Sequence, residues 1–210
     1  MAFANGTEQW VKCYGENGGK DVMNGWWEMN GDASVFVLTS MIPNFAALDD
    51  TGDVAGKACR HIAQNLILPY IESSTRGMMR HLPEWSSSTM PESSVVWATS
   101  FKIKMGMGRT FMDVVKEVQE LSGSKELMPH NHWYRAVGGG RDAADYMLVT
   151  HYDNFAGMDE EGKKVWEKVR AKLGDEAGYA LQDKFASCLE DAWSHIYKKA
   201  KDSSYKPADN

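Results

Sequence analysis

Hydrophobic and polar positions alternate with period two along Val95-Val-Trp-Ala-Thr-Ser-Phe-Lys-Ile-Lys104, with Val95, Trp97, Thr99, Phe101 and Ile103 on one face, the pattern of a half-buried strand. The period then lengthens. Phe111 to Leu121 carries apolar residues at helical spacing, and Ser122-Gly123 stops the run. Two further alternating stretches, His130–Val137 and Asp145–Tyr152, flank Gly138-Gly-Gly-Arg-Asp142, which reads as a hairpin around a glycine loop. Asp159 is placed to cap a helix with the stripe Val165, Trp166, Val169 and Leu173. A longer helix is expected over 179–199, with the stripe Leu181, Phe185, Cys188, Leu189, Trp193 and Ile196. Nearer the N-terminus the pattern predicts strands at Trp10–Tyr14 and around Trp26-Trp27. An amphipathic helix is expected over Val54–Ile67, ended by Pro69, and a second helix carrying Met78, Met79 and Leu82.

The two halves share a motif. Asp32-Ala-Ser-Val-Phe-Val-Leu-Thr-Ser-Met-Ile-Pro-Asn-Phe-Ala-Ala-Leu-Asp-Asp50 returns without a gap, 110 positions later, as Asp142-Ala-Ala-Asp-Tyr-Met-Leu-Val-Thr-His-Tyr-Asp-Asn-Phe-Ala-Gly-Met-Asp-Glu160. Identical pairs include Ala33/Ala143, Leu38/Leu148, Asn44/Asn154, Phe45/Phe155, Ala46/Ala156 and Asp49/Asp159. A repeat this long means two similar units rather than a solenoid. The polar, proline-containing stretch Ser86–Ser94 separates them. The expected organisation is a first unit over 1–86, a linker over 87–94, a second unit over 95–200 and a disordered tail over 201–210.

Strand, helix, hairpin and one or two closing helices form the order of a ferredoxin-like α+β unit. With Trp133-Tyr-Arg-Ala-Val, the glycine loop and Asp145-Tyr-Met-Leu-Val-Thr-His-Tyr-Asp-Asn-Phe-Ala as central hairpin and helix entry, the chain resembles the dimeric α/β-barrel superfamily. That group contains antibiotic-biosynthesis monooxygenase-like, NIPSNAP-like and stress-responsive proteins. The resemblance implies an α+β fold of two tandem ferredoxin-like units forming an intrachain α/β barrel, with a cavity for a small molecule. Its members include cofactor-free oxygenases, haem-handling enzymes, cyclases and non-catalytic binders, so the fold by itself selects no reaction.

Composition narrows the function further. The chain has 210 residues, 43% hydrophobic and 25% charged, with a net charge of −6, enough for one large domain or two small ones. It has no basic stripe for nucleic acid and no apolar run long enough for a membrane helix. Eight Trp, eight Tyr and thirteen Met suit an adaptable pocket as well as a core. No Gly-x-Ser-x-Gly, His-Glu-x-x-His or dinucleotide fingerprint occurs. Cys13, Cys59 and Cys188 form no CxxC pair. They read first as three partly buried thiols, with one disulfide and a spare thiol as the alternative. Ala2-Phe3-Ala4 resembles the end of a signal-peptide cleavage site, without the charged and apolar parts of one. Export and a cytoplasmic location stay equally open. Asn5-Gly6-Thr7 matches a glycosylation acceptor.

The chemistry concentrates in His130-Asn131-His132-Trp133-Tyr134, with His151 on the neighbouring strand. His130, His132 and Tyr134 share a face. A hairpin symmetric about Gly140-Arg141 sets His130 opposite His151, whereas a one-residue slip separates them. His130, His132 and His151 are thus the candidate catalytic bases for an acidic C–H or phenol. Trp97, Trp133 and Tyr134 are the candidate pocket for a small apolar or aromatic ligand. No metal site is assigned to them, and the cofactor is left open. His61, His81 and His195 read as surface or packing residues. Gly138–Arg141 reads as a hairpin tip, with an anion cradle as the alternative. A non-catalytic binder of the same fold is the competing reading. The oligomeric state is left open, a homo-oligomer among the options.

Overall fold

A computed structural model describes residues 2–31, 33–50, 52–123, 130–140, 143–160 and 164–207. Asp32, Asp142, the loop residue Arg141 and Glu161 of the expected helix start lie outside them. The described chain is α+β and divides into two compact units, residues 1–75 with 198–210, and residues 76–197. The segment 87–94 falls inside the second.

In the first unit, α1 (Ala2–Glu16) precedes a hairpin of β1 (Met23–Glu28) and β2 (Phe36–Ser40). A 3-10 turn at Phe45–Leu48 leads to α2 (Val54–Ala58), α3 (Arg60–Ile62), a π turn at Ala63–Ile67 and a 3-10 turn at Leu68–Tyr70. The strand expected at Trp10–Tyr14 is helical: these aromatics lie four apart and stack on one helix face, centroids 4.9 Å apart. Tyr14, Met23, Ala55 and Cys59 form the core. A Cys13–Cys59 disulfide ties α1 to the end of α2, which leaves Cys188 as the free, buried cysteine. The stretch expected to fray is partly ordered. Lys201–Ser203 makes a 3-10 turn, and Tyr205 exchanges backbone hydrogen bonds of 2.8 and 2.7 Å with Met23. Asn5-Gly6-Thr7 sits within α1, with Thr7 buried against Ser203.

In the second unit the strands run in the order β7-β4-β6-β5-β3. They are β3 (Met78–His81), β4 (Val95–Ile103), β5 (Asn131–Gly138), β6 (Tyr146–Tyr152) and β7 (Leu189–Lys199). The helices are α4 (Gly108–Ser122), α5 (Lys164–Leu173) and α6 (Asp175–Ser187). Gly123 closes α4 in the left-handed region, φ 60°. Trp85, Phe101, Phe111, Val115, Trp133, Tyr146 and Cys188 make the main core; Val114, Val118, Val169 and Leu181 make a second cluster joining α4, α5 and α6.

One expected helix is a strand, and a second turns into a strand part-way. Met78 and Met79 lie in β3, which pairs with β5. The helix expected over 179–199 ends at Ser187, and Leu189 begins β7. Leu181, Phe185 and Cys188 do follow the helical period, but beyond Cys188 the aromatic residues Trp193, His195 and Tyr197 repeat every second position. Both periods fit Leu189 and Trp193, four residues apart, over so short a window, and Ile196 fits the helical one alone.

Candidate functional site

The β5–β6 hairpin pairs Asn131 with Thr150, His132 with Val149 and Tyr134 with Met147. His151 N–H donates to the His130 carbonyl at 3.0 Å, so those two histidines stand opposite each other. This is the symmetric register. Paired residues share a face, so His130, His132, Tyr134 and His151 are co-facial. On the other side of β5, His81 pairs with Tyr134 and joins the same face. Sequence reasoning missed His81 because Met78, Met79 and Leu82 suggested a helix. The alternation of Met79 and His81 on a four-residue strand is too short a signal to override that.

The rings converge. His132 and His151 meet edge to face with centroids 5.3 Å apart, and His81 lies 5.4 Å from His132 and 5.3 Å from Tyr134. His132 is 1% exposed and bonded through both ring nitrogens, Nε2 at 3.0 Å to the Thr89 carbonyl and Nδ1 at 3.2 Å to Nε2 of His81. A carbonyl only accepts, so Nε2 of His132 carries the proton. Neutral His132 then accepts at Nδ1 from the Nε2–H of His81, which leaves the lone pair of His81 on its own Nδ1. The chain of tautomers therefore ends in a basic nitrogen on the partly exposed member of the pair. Ser93 Oγ is 2.8 Å from Nδ1 of His151. Nδ1 of His130 is buried without a hydrogen-bond partner among the described residues.

Segment 82–94 builds one wall. Leu82 N–H donates to Trp133 O, Trp133 N–H to Ser86 Oγ and Ser87 N–H to Asn131 O, closing the edge of β5 beyond β3. The chain then crosses the histidine face, offering the Thr89 carbonyl and Ser93 hydroxyl. Ser94 N–H donates to Tyr152 O at the entrance to β4.

Burial holds His132 below the ordinary histidine pKa; nearby His81 and His130 push the same way, and the Thr89 hydrogen bond opposes. Burial also lowers His81, with Glu84 opposing. The Tyr134 phenol is raised by burial and stays a neutral donor beside them. Both bonded histidines are thus neutral at neutral pH, the state a general base needs.

The three expected pocket residues do not share a surface. Trp97 pairs with Thr150, and Thr150 with Asn131, on the face opposite the histidines. Trp133 is on that opposite face too, stacked on Phe101 at 5.6 Å and edge-on to Trp85 at 5.8 Å inside the core. Tyr134 alone of the three lies with the histidines. The Trp97 Nε1 is buried without a hydrogen-bond partner among the described residues. His61 bonds the Ala58 carbonyl, and the ring of His195 lies 6.1 Å from that of Tyr197. Among the described residues, no three His, Cys, Asp or Glu side chains are placed to hold a metal ion.

No protein-family model matches the chain, and no curated protein matches it in sequence. Solved structures resemble it in fold. A candidate monooxygenase from Lactobacillus acidophilus NCFM aligns over 94% of this chain and 87% of its own, with TM-score 0.52 and 8% identity. A candidate monooxygenase from Fusobacterium nucleatum subsp. nucleatum ATCC 25586 aligns over 94% and 86%, with TM-score 0.53 and 9% identity. At such identities the likeness concerns the fold alone: the chain has the α+β fold of these monooxygenase-like structures.

Proposed function

We propose that the protein binds a small apolar or aromatic molecule and uses the neutral His81–His132 pair as a general base, as a cofactor-free oxygenase would. The observation that carries this reading is the convergence of His81, His132 and His151 on one sheet face, with His132 bonded at both nitrogens. His81 Nδ1 takes a proton from an acidic C–H or phenol. His132 holds the His81 ring and favours the tautomer that exposes that nitrogen. The carbanion left behind adds to dioxygen, the oxidant, forming a C–O bond; the peroxide takes the proton back from His81 and loses water as its O–O bond breaks, which leaves a carbonyl at that carbon. Tyr134 lies beside His81 and offers a neutral hydroxyl to an oxygen of the ligand.

The architecture we infer is a pair of tandem ferredoxin-like units, with the site on the second. The local likeness of the two shared motifs supports it. Asn44 Oδ1 accepts from Ala47 N–H at 3.1 Å, and Asn154 Oδ1 from Gly157 N–H at 3.2 Å, each opening a 3-10 turn after a strand.

The test is oxygen uptake with a panel of hydroquinones and phenolic ketones. His81→Ala should lower turnover by about 10²–10⁴-fold, the usual worth of a positioned base, and His132→Gln by less. Unchanged turnover in His81→Ala would remove the assignment. The second reading, a non-catalytic binder, is favoured by the burial of His132, whose Nε2 fastens the segment carrying Thr89 and whose Nδ1 fastens β3 through His81. It predicts ligand-dependent tryptophan quenching with no oxygen uptake.

A further inference from the structure

The shared motif folds alike in both units but is covered in only one. In the second unit β6 lies between β5 and β4. In the first, the matching strand β2 pairs with β1 alone among the described residues.

The backbone parity makes the comparison close. Hydrogen-bonding groups alternate sides along an antiparallel strand. Glu28 N–H donates to Val35 O, so with the β1–β2 register Val37 and Thr39 turn their amide groups to β1. Phe36, Leu38 and Ser40 turn theirs to the open edge. In β6 the His151–His130 bond directs the odd-numbered positions to β5. Tyr146, Leu148 and Thr150 are left for β4, where they face Phe101, Thr99 and Trp97. These are the positions 110 residues on from Phe36, Leu38 and Ser40. The groups that bond β4 in the second unit are the ones left open in the first.

Side chains repeat the contrast. Met41 is 68% exposed where His151 is 9%, and Ile42 is 44% exposed where Tyr152 is 8%. Leu38 is 57% exposed, whereas Leu148 packs on the main core. Natural edge strands are normally blunted by a charge, a proline or a bulge. Phe36-Val-Leu-Thr-Ser40 contains no charge and no proline, and its pairing with β1 is regular.

We propose that β2 is the edge along which two copies of this chain pair, antiparallel about a two-fold axis at Leu38. The strand is self-complementary in that arrangement. Leu38 meets its own copy, Val37 meets Thr39 and Phe36 meets Ser40, with the outward amide groups of both strands in register. All five residues are neutral, so the net charge of −6 places no like-charge pair at the contact. The proposal does not depend on the histidine site.

The test is the mass in solution by light scattering over a wide concentration range. The wild type should run at about 47 kDa, twice the 23.5 kDa chain. Leu38→Pro removes an outward N–H and leaves the β1 ladder untouched, as prolines on edge strands do. Leu38→Lys places like charges face to face. Both variants should run as monomers with unchanged far-ultraviolet circular dichroism. If the proline variant fails to fold, the lysine variant decides. A monomeric wild type at every concentration, or a dimer that persists in the folded variants, would overturn the proposal.

Discussion

A neutral imidazole has one donor and one acceptor, and His132 commits both, to Thr89 and to His81. Protonating it would bury a charge beside His81 and require His81 to move its own proton from Nε2 to Nδ1. The consequence is a pH dependence of known sign. The folded pKa values of His81 and His132 lie below the unfolded value of 6.5. The unfolded chain therefore takes up protons first as the pH falls. Stability is complete above that value and is lost as the pH drops through it toward the depressed folded values. Thermal melts from neutral into mildly acidic buffer should show a falling midpoint, with a shallower slope in His132→Gln. An equal slope would mean that His132 does not titrate with folding. Core residues offer a contrast in kind. Phe111 is fully buried against Phe101, Tyr146 and Phe185, and Phe111→Ala should cost about 3–5 kcal/mol in chemical denaturation. The histidine row on β5 was legible from period two alone. His81 was not, because its contact with His132 spans 51 positions, and no local pattern reports a strand pairing at that range.

Elements differ in how far local patterns describe them. The stripe of α4 is unambiguous, since its apolar face builds the core; the alternation of β4 locates the strand but not its burial, because Val96, Ala98 and Ser100 on the other face are buried while Trp97 and Thr99 are only partly so. The motif containing Asn154 reads as a helix entry because the asparagine side chain caps the turn within its own segment. The Trp10–Tyr14 and Leu189–Lys199 segments failed for one physical reason. A few apolar side chains satisfy both periods, and tertiary partners decide between them. Close packing between elements also leaves little sequence signal. In α1, a Cβ on Gly6 would run into the Leu66 backbone carbonyl. Gly→Ala in a helix normally gains about 1 kcal/mol. Here the obstacle is main chain and must move, at a cost of about 1–3 kcal/mol. Gly6→Ala should therefore lower the melting temperature; a rise would show that the π turn at Ala63–Ile67 yields easily.

At the scale of the whole chain, the Cys13–Cys59 disulfide changes the reading of the cysteines, which spacing could not pair. It supports an oxidising compartment over the cytoplasm. Unreduced, denatured protein should titrate with one thiol, that of Cys188; three thiols would mean that the pair is reduced in the isolated protein. The α+β class was accessible from the order of elements, and the likeness to monooxygenase-like structures agrees with it. The covering of β6 by β4, and the edge left open on β2, emerged only from the strand order. The proposed site rests on a neutral histidine pair ending in a basic Nδ1 on His81. Long-range ¹H–¹⁵N correlation of the histidine rings at neutral pH reads that directly. Both His81 and His132 should appear as neutral Nε2–H tautomers, and His81→Ala should perturb the Nδ1 resonance of His132. An Nδ1–H tautomer or an imidazolium at either residue would contradict it.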